Sequence, residues 1–139
     1  MRPLLAALAL VLLARPAAAE APPSGQRETL AALAQVLGQS HALRQACAGP
    51  GDQYWRARMM RLMDVERPQE AWRAELTAAF NAGYASRRRM FPVCTPMARR
   101  AEITAAARGR ALAGRLAQAP RGDSTAASSD EMAQDASPQ

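Results

Sequence analysis

The chain has one histidine, His41, with Arg44 and Asp52 close behind it. An imidazole titrates near neutrality and can act as a general base or a metal ligand. This trio is therefore the grouping best suited to acid–base work. A single histidine excludes a His–His metal site or a histidine relay within one chain, and no hydroxyl nucleophile with a partner carboxylate stands beside it in sequence. The plainer reading is a helix-surface or core-edge histidine bonded to a neighbour.

Thioethers and guanidiniums offer the other chemistries. Met59, Met60 and Met63 recur at helical spacing, with Met90 and Met97 further on. Methionine sulfur binds Cu(I), and a Met–His pair can hold haem, but methionine more commonly fills core gaps. Haem attachment through Cys-x-x-Cys-His is absent. No catalytic residue, metal set or cofactor is assigned. Arg87-Arg88-Arg89 and Arg99-Arg100 concentrate five guanidiniums on either side of a short connection. This is either a solvated surface or a cationic platform for anionic lipid, anionic cell-wall polymer or an acidic protein. Trp55, Arg56, Asn81 and Tyr84 are the further binding candidates, and an aromatic groove is the alternative to the charged pole as a docking place.

Length and charge bound what can carry these groups. The 139 residues allow one domain, and all 18 basic residues are arginine against 12 acids, a formal net charge of +6. The first residues read as an address. Arg2 is followed by an apolar run over 4–14, then Arg15-Pro16 and Ala17-Ala18-Ala19. Small residues at 17 and 19 suit a signal peptidase, which predicts a signal peptide over 1–19, export to the periplasm and no transmembrane segment after cleavage. The run is short for an uncleaved anchor, since a spanning helix needs about 20 apolar residues. Export also argues against a nucleic-acid partner.

At the other end, segment 119–139 has one Arg against four acids and no Leu, Ile, Val or aromatic residue. It cannot bury enough apolar surface to offset its ordering entropy, so it is expected to be a disordered acidic Ala/Ser/Pro tail. That leaves a linker over 20–26 and a folded domain over 27–118.

Apolar spacing and punctuation predict four helices in this domain. Leu30, Leu33, Val36, Leu37, Leu43 and Cys47 recur at three and four through 27–47, until Gly49-Pro50-Gly51 stops them. Asp52 is placed as N-cap of a second helix over 53–65, and Pro68 in the first turn of a third that runs to Met90. Thr95-Pro96 starts a fourth, to about Gln118. No segment alternates long enough to make a strand. Connections of roughly 3–6 residues favour antiparallel neighbours. The expected fold is all-α, a small four-helix up-and-down bundle.

All six aromatics lie between positions 54 and 91, so the second and third helices are expected to supply the bulky core. Small residues at 34, 38, 42 and 46, and at 101, 105 and 109, are expected to help the terminal helices pack closely. Gly83 is expected to make room for a neighbour such as Trp55.

An up-and-down path brings Cys47, closing the first helix, and Cys94, preceding the fourth, to one pole. In an oxidising compartment this predicts a Cys47–Cys94 disulfide, worth roughly 4 kcal/mol in the chain-entropy model. A redox-active pair is less favoured because the spacing is not Cys-x-x-Cys. Pairing between chains is the remaining alternative.

Three strings carry a resemblance. They are 37–47 (LGQSHALRQAC) with 52–59 (DQYWRARM), then Phe80-Asn81-Ala82-Gly83-Tyr84, then Cys94-Thr95-Pro96. Together these resemble an uncharacterised family of exported alphaproteobacterial proteins, a domain of unknown function with two well-separated cysteines, over about residues 30–116. The resemblance implies an envelope location and a disulfide, and no activity. The function expected is a non-enzymatic envelope interaction or structural protein. A periplasmic enzyme or enzyme accessory using His41 is the alternative, and a metal or haem carrier the weaker one.

Overall fold

The computed structural model describes residues 22–120. The expected signal peptide and all but the first two residues of the expected tail lie outside them. Within them are four helices and no strand: α1 (Ser24–Ala48), α2 (Tyr54–Glu66), α3 (Glu70–Met90) and α4 (Pro96–Gln118). Helix α1 begins inside the segment expected to be a linker. Pro22-Pro23 precede it, and Pro23 takes its N-cap position.

The chain's punctuation fixes the other boundaries. Gly49 ends α1 at φ 101°, a conformation that glycine adopts without the steric cost of a Cβ. Asp52 is not the N-cap of α2, which is Gln53, but its Oδ1 accepts the Tyr54 N–H at 3.0 Å and so performs a capping role. Pro68 likewise lies before α3, whose N-cap is Gln69. Its ring therefore ends the linker rather than opening the helix. Thr95 caps α4 as expected, its Oγ1 accepting the Ala98 N–H at 3.0 Å, with Pro96 in the first turn.

The core belongs to α1, which corrects the expectation that α2 and α3 supply its bulk. Leu30, Leu33, Val36, Leu37 and Leu43 of α1 are buried, whereas α2 contributes Met59 and Met63, and α3 Leu76 and Phe80. Of the six aromatics only Phe80 is fully in the core; Trp55, Trp72 and Phe91 flank it. Helix α1 is the hub: α3 packs on it most extensively, then α4, then α2, and the outer three share at most marginal contact with one another.

Contacts between α1 and α3 advance together, from Arg27 with Trp72 and Glu75 to Gln45 with Tyr84. Those between α1 and α4 run in opposite order, from Arg44 with Glu102 to Val36 with Gly109. Two glycines set the α1–α3 crossing. A Cβ at Gly38 would collide with the Phe80 carbonyl, and one at Gly83 with the Gln35 carbonyl. Gly83 therefore makes room for the α1 backbone, not for Trp55, and Gly38 serves α3 rather than the terminal pair. The α4 row does meet α1, through Gly109 against Val36.

Cys47 and Cys94 are at disulfide-bonding distance, with Cα atoms 4.6 Å apart, and the described residues contain no free cysteine.

Candidate functional site

Because α2 and α4 each lean on α1 but hardly on each other, an apolar groove of about 510 Å³ lies between them. Its floor is one face of α1: Leu33, Val36, Leu37 and Ser40. Trp55, Leu62 and Val65 form the α2 wall. Ala105, Ala106, Gly109 and Ala113 form the α4 wall, and their small side chains leave the space open. Val65, at the rim, is 70% exposed. Arg58, Arg61 and Arg110 also line the groove, and no acidic residue does.

Two polar atoms in this lining have no hydrogen-bond partner although they are buried: Ser40 Oγ and Trp55 Nε1. Buried polar atoms are rarely left unsatisfied, because stripping water from them costs about 1–3 kcal/mol. Both can donate, but each is enclosed by protein, so neither is presented to the open groove. Arg58 is held at its edge, 3.5 Å over the Tyr54 ring and 5.4 Å from the Trp55 ring, and donates to the Tyr54 hydroxyl at 2.5 Å.

His41 does not line this groove. It is 4% exposed, with its ring 5.8 Å from Phe80 and 5.5 Å from Tyr84. Burial lowers its pKa below the ordinary 6.5; the Arg56 charge pushes the same way and Asp52 opposes both. Its Nδ1 lacks a partner. Arg44 and Asp52 are brought together, Arg44 Nε donating to Asp52 Oδ2 at 2.9 Å, and Arg44 also lies 3.9 Å from Glu102 and over the Tyr54 ring. The Tyr54 N–H holds the Asp52 carboxyl below its usual range; burial opposes it, and the hydrogen bond and charge of Arg44 add to the lowering. These contacts tie the start of α2 to α1 and α4.

The remaining candidates disperse. Trp55 lines the groove. Arg56 and Asn81 border a separate recess of about 360 Å³ between α2 and α3, with Met59, Met60 and Met63. Tyr84 donates to Gln45 Oε1 at 2.9 Å. Arg87, Arg88 and Arg89 occupy the last turn of α3, and Arg99 and Arg100 the first turns of α4; none forms an ion pair with a described residue. No group of three or more His, Cys, Asp or Glu among the described residues could hold a metal ion.

The family described as "Protein of unknown function (DUF2385)" matches residues 26–119. The chain belongs to that family. The DUF2385 segment takes in most of α1 and all of α2, α3 and α4, and with them the groove, the glycine crossing and both cysteines. No curated protein and no solved structure matches the chain.

Sequence reasoning about this DUF2385 protein missed Ser40, Gln45, Arg58, Arg61 and Arg110. Ser40 carried a usable signal, as a lone hydroxyl among the apolar positions of a buried helix. The arginines carried none, since a groove wall and a solvated face have the same composition.

Proposed function

We propose that this is a non-enzymatic protein of the cell envelope that binds a small apolar ligand in the α1–α2–α4 groove. The observation that carries the reading is a preformed apolar space of about 510 Å³ with three guanidiniums along its lining. Small-molecule sites characteristically pair such a space, of about 300–1,000 Å³, with a few placed polar groups. Export after cleavage at Ala19, with a periplasmic destination, fits the apolar leader, the disulfide and the lack of any membrane-crossing helix among the described residues. Helices α1 and α3 pointing one way and α4 the other support an up-and-down chain path.

Nile red, a neutral apolar dye, tests the groove. The full chain is expected to bind one dye per molecule with a blue-shifted emission. Ala106→Trp, which fills the α4 wall, is expected to abolish binding while leaving the helical circular dichroism unchanged. Dye binding that survives in both Ala106→Trp and Ala113→Phe ends the reading. Periplasmic recovery of a chain beginning at Glu20 tests the export half.

A second reading has its own support. The five arginines at the disulfide pole are without ion pairs among the described residues, which suits an anionic envelope partner. The reading of His41 with Arg44 and Asp52 as enzyme machinery is less well supported. His41 is buried against the Phe80 and Tyr84 rings of α3, and Arg44 is already engaged by Asp52 and Glu102.

A further inference from the structure

We infer that the groove takes a single-chain anionic amphiphile: an alkyl chain along the α1 floor and a carboxylate-type head at the arginine rim. The inference rests on the groove reading above and adds the class of the occupant.

Shape argues for one chain. The lining runs over positions 33–40 of α1, 54–65 of α2 and 105–113 of α4. At 1.5 Å per residue this is a trough about 10–16 Å long, the scale of a medium-length alkyl chain. Its floor and walls are almost wholly apolar, so a hydrocarbon displaces water without stranding polar groups of its own.

Charge argues for an anionic head. Arg58 and Arg61 on α2 and Arg110 on α4 all line the groove, with no carboxylate among its lining residues. Asp64 shares the outer face of α2 with Arg61 but forms no ion pair with it. Three guanidiniums beside a low-dielectric trough raise the local concentration of an anion, and Arg61 and Arg110 offer it forked donors, while Arg58 already donates to Tyr54. A neutral alkyl chain gains only the trough, and a cationic one is repelled.

Displacement of Nile red from the full chain provides the test, with dodecanoate, dodecanol and dodecyltrimethylammonium as competitors below their aggregation thresholds. Dodecanoate is expected to displace the dye at a concentration at least tenfold lower than dodecanol, and the cationic chain least well. In Arg58→Gln/Arg61→Gln/Arg110→Gln, dye binding persists and the advantage of dodecanoate disappears. Raising salt is expected to narrow that advantage in the wild type.

Equal displacement by dodecanol and dodecanoate, or no displacement by either from a groove that still binds dye, overturns the inference and leaves the groove reading standing. Failure of the dye to bind overturns both. Co-sedimentation with phosphatidylglycerol vesicles through these three arginines, without displacement by dodecanoate, assigns the groove to a bilayer and also overturns the inference.

Discussion

The Tyr84 hydroxyl of α3 donates to Gln45 Oε1 of α1 at 2.9 Å, and Gln45 Nε2 donates in turn to the carbonyls of Pro50 and Asp52. One buried amide thereby ties three parts of the chain: α1, the α1–α2 turn and α3. Tyr84→Phe leaves the amide oxygen without this donor and is expected to cost about 1–2 kcal/mol in denaturant unfolding. Gln45→Leu should cost more, since it strands the hydroxyl and two turn carbonyls together. Equal stability of Tyr84→Phe and wild type would show that water replaces the phenol.

The glycine crossing predicts a larger penalty for a smaller change. Gly38→Ala and Gly83→Ala each drive a methyl into a facing backbone carbonyl, which no rotamer change relieves. Helix propensity favours alanine by about 1 kcal/mol, so alanine would stabilise either site if it were open. We expect destabilisation by about 1–3 kcal/mol or more, as for an overpacked core. Gly114→Ala, with nothing near its added methyl, is the control and should be neutral or stabilising.

The disulfide closes a loop with a sequence separation of 47. Cys47→Ala/Cys94→Ala is expected to lower unfolding free energy by roughly 2–4 kcal/mol. Mass spectrometry of the oxidised full chain should show an intramolecular bond, gaining two hydrogens on reduction. A covalent dimer instead would mean that the two sulfurs pair between chains.

Acid should weaken the fold in two windows. His41 has a lowered pKa in the folded state, so the unfolded chain takes up its proton first. The stability it contributes is full above about 6.5 and is lost as pH falls from there through the lower folded value. Asp52, also lowered, holds its contribution until pH drops below its ordinary 3.8. Between about pH 7.5 and 5 the wild-type unfolding midpoint should fall, and that of His41→Leu should stay flat. Parallel slopes for the two proteins would rule out His41 as the source.

Helix positions were legible because their signals are local. Gly49 stops α1 and Thr95-Pro96 starts α4 without reference to the rest of the fold. Pro68 was ambiguous, since proline suits both a linker end and a first helical turn. The disulfide followed from helix order together with the oxidising compartment that the leader implies.

The hub was readable in principle. Buried positions 30, 33, 34, 36, 37, 38, 40, 41, 42, 43 and 45 extend around well over half of α1 instead of forming one stripe, the mark of an enclosed helix. The aromatics pointed elsewhere because their large area draws attention to α2 and α3, although most end at the margin of the core. The groove was not legible. It arises where α2 and α4 fail to meet, and residue order does not encode the distance between two non-adjacent helices.

The hub arrangement has a consequence for how the fold comes apart. Outer helices that depend on one shared support, and scarcely on each other, can lift off singly while the rest stays seated. Hydrogen exchange should then report a separate opening energy for each of α2, α3 and α4, with only α1 amides waiting for global unfolding. Helix α2, the shortest and least attached of the three, should exchange first, and each such excursion removes one side of the arginine-edged trough, exposing whatever lies within it to solvent.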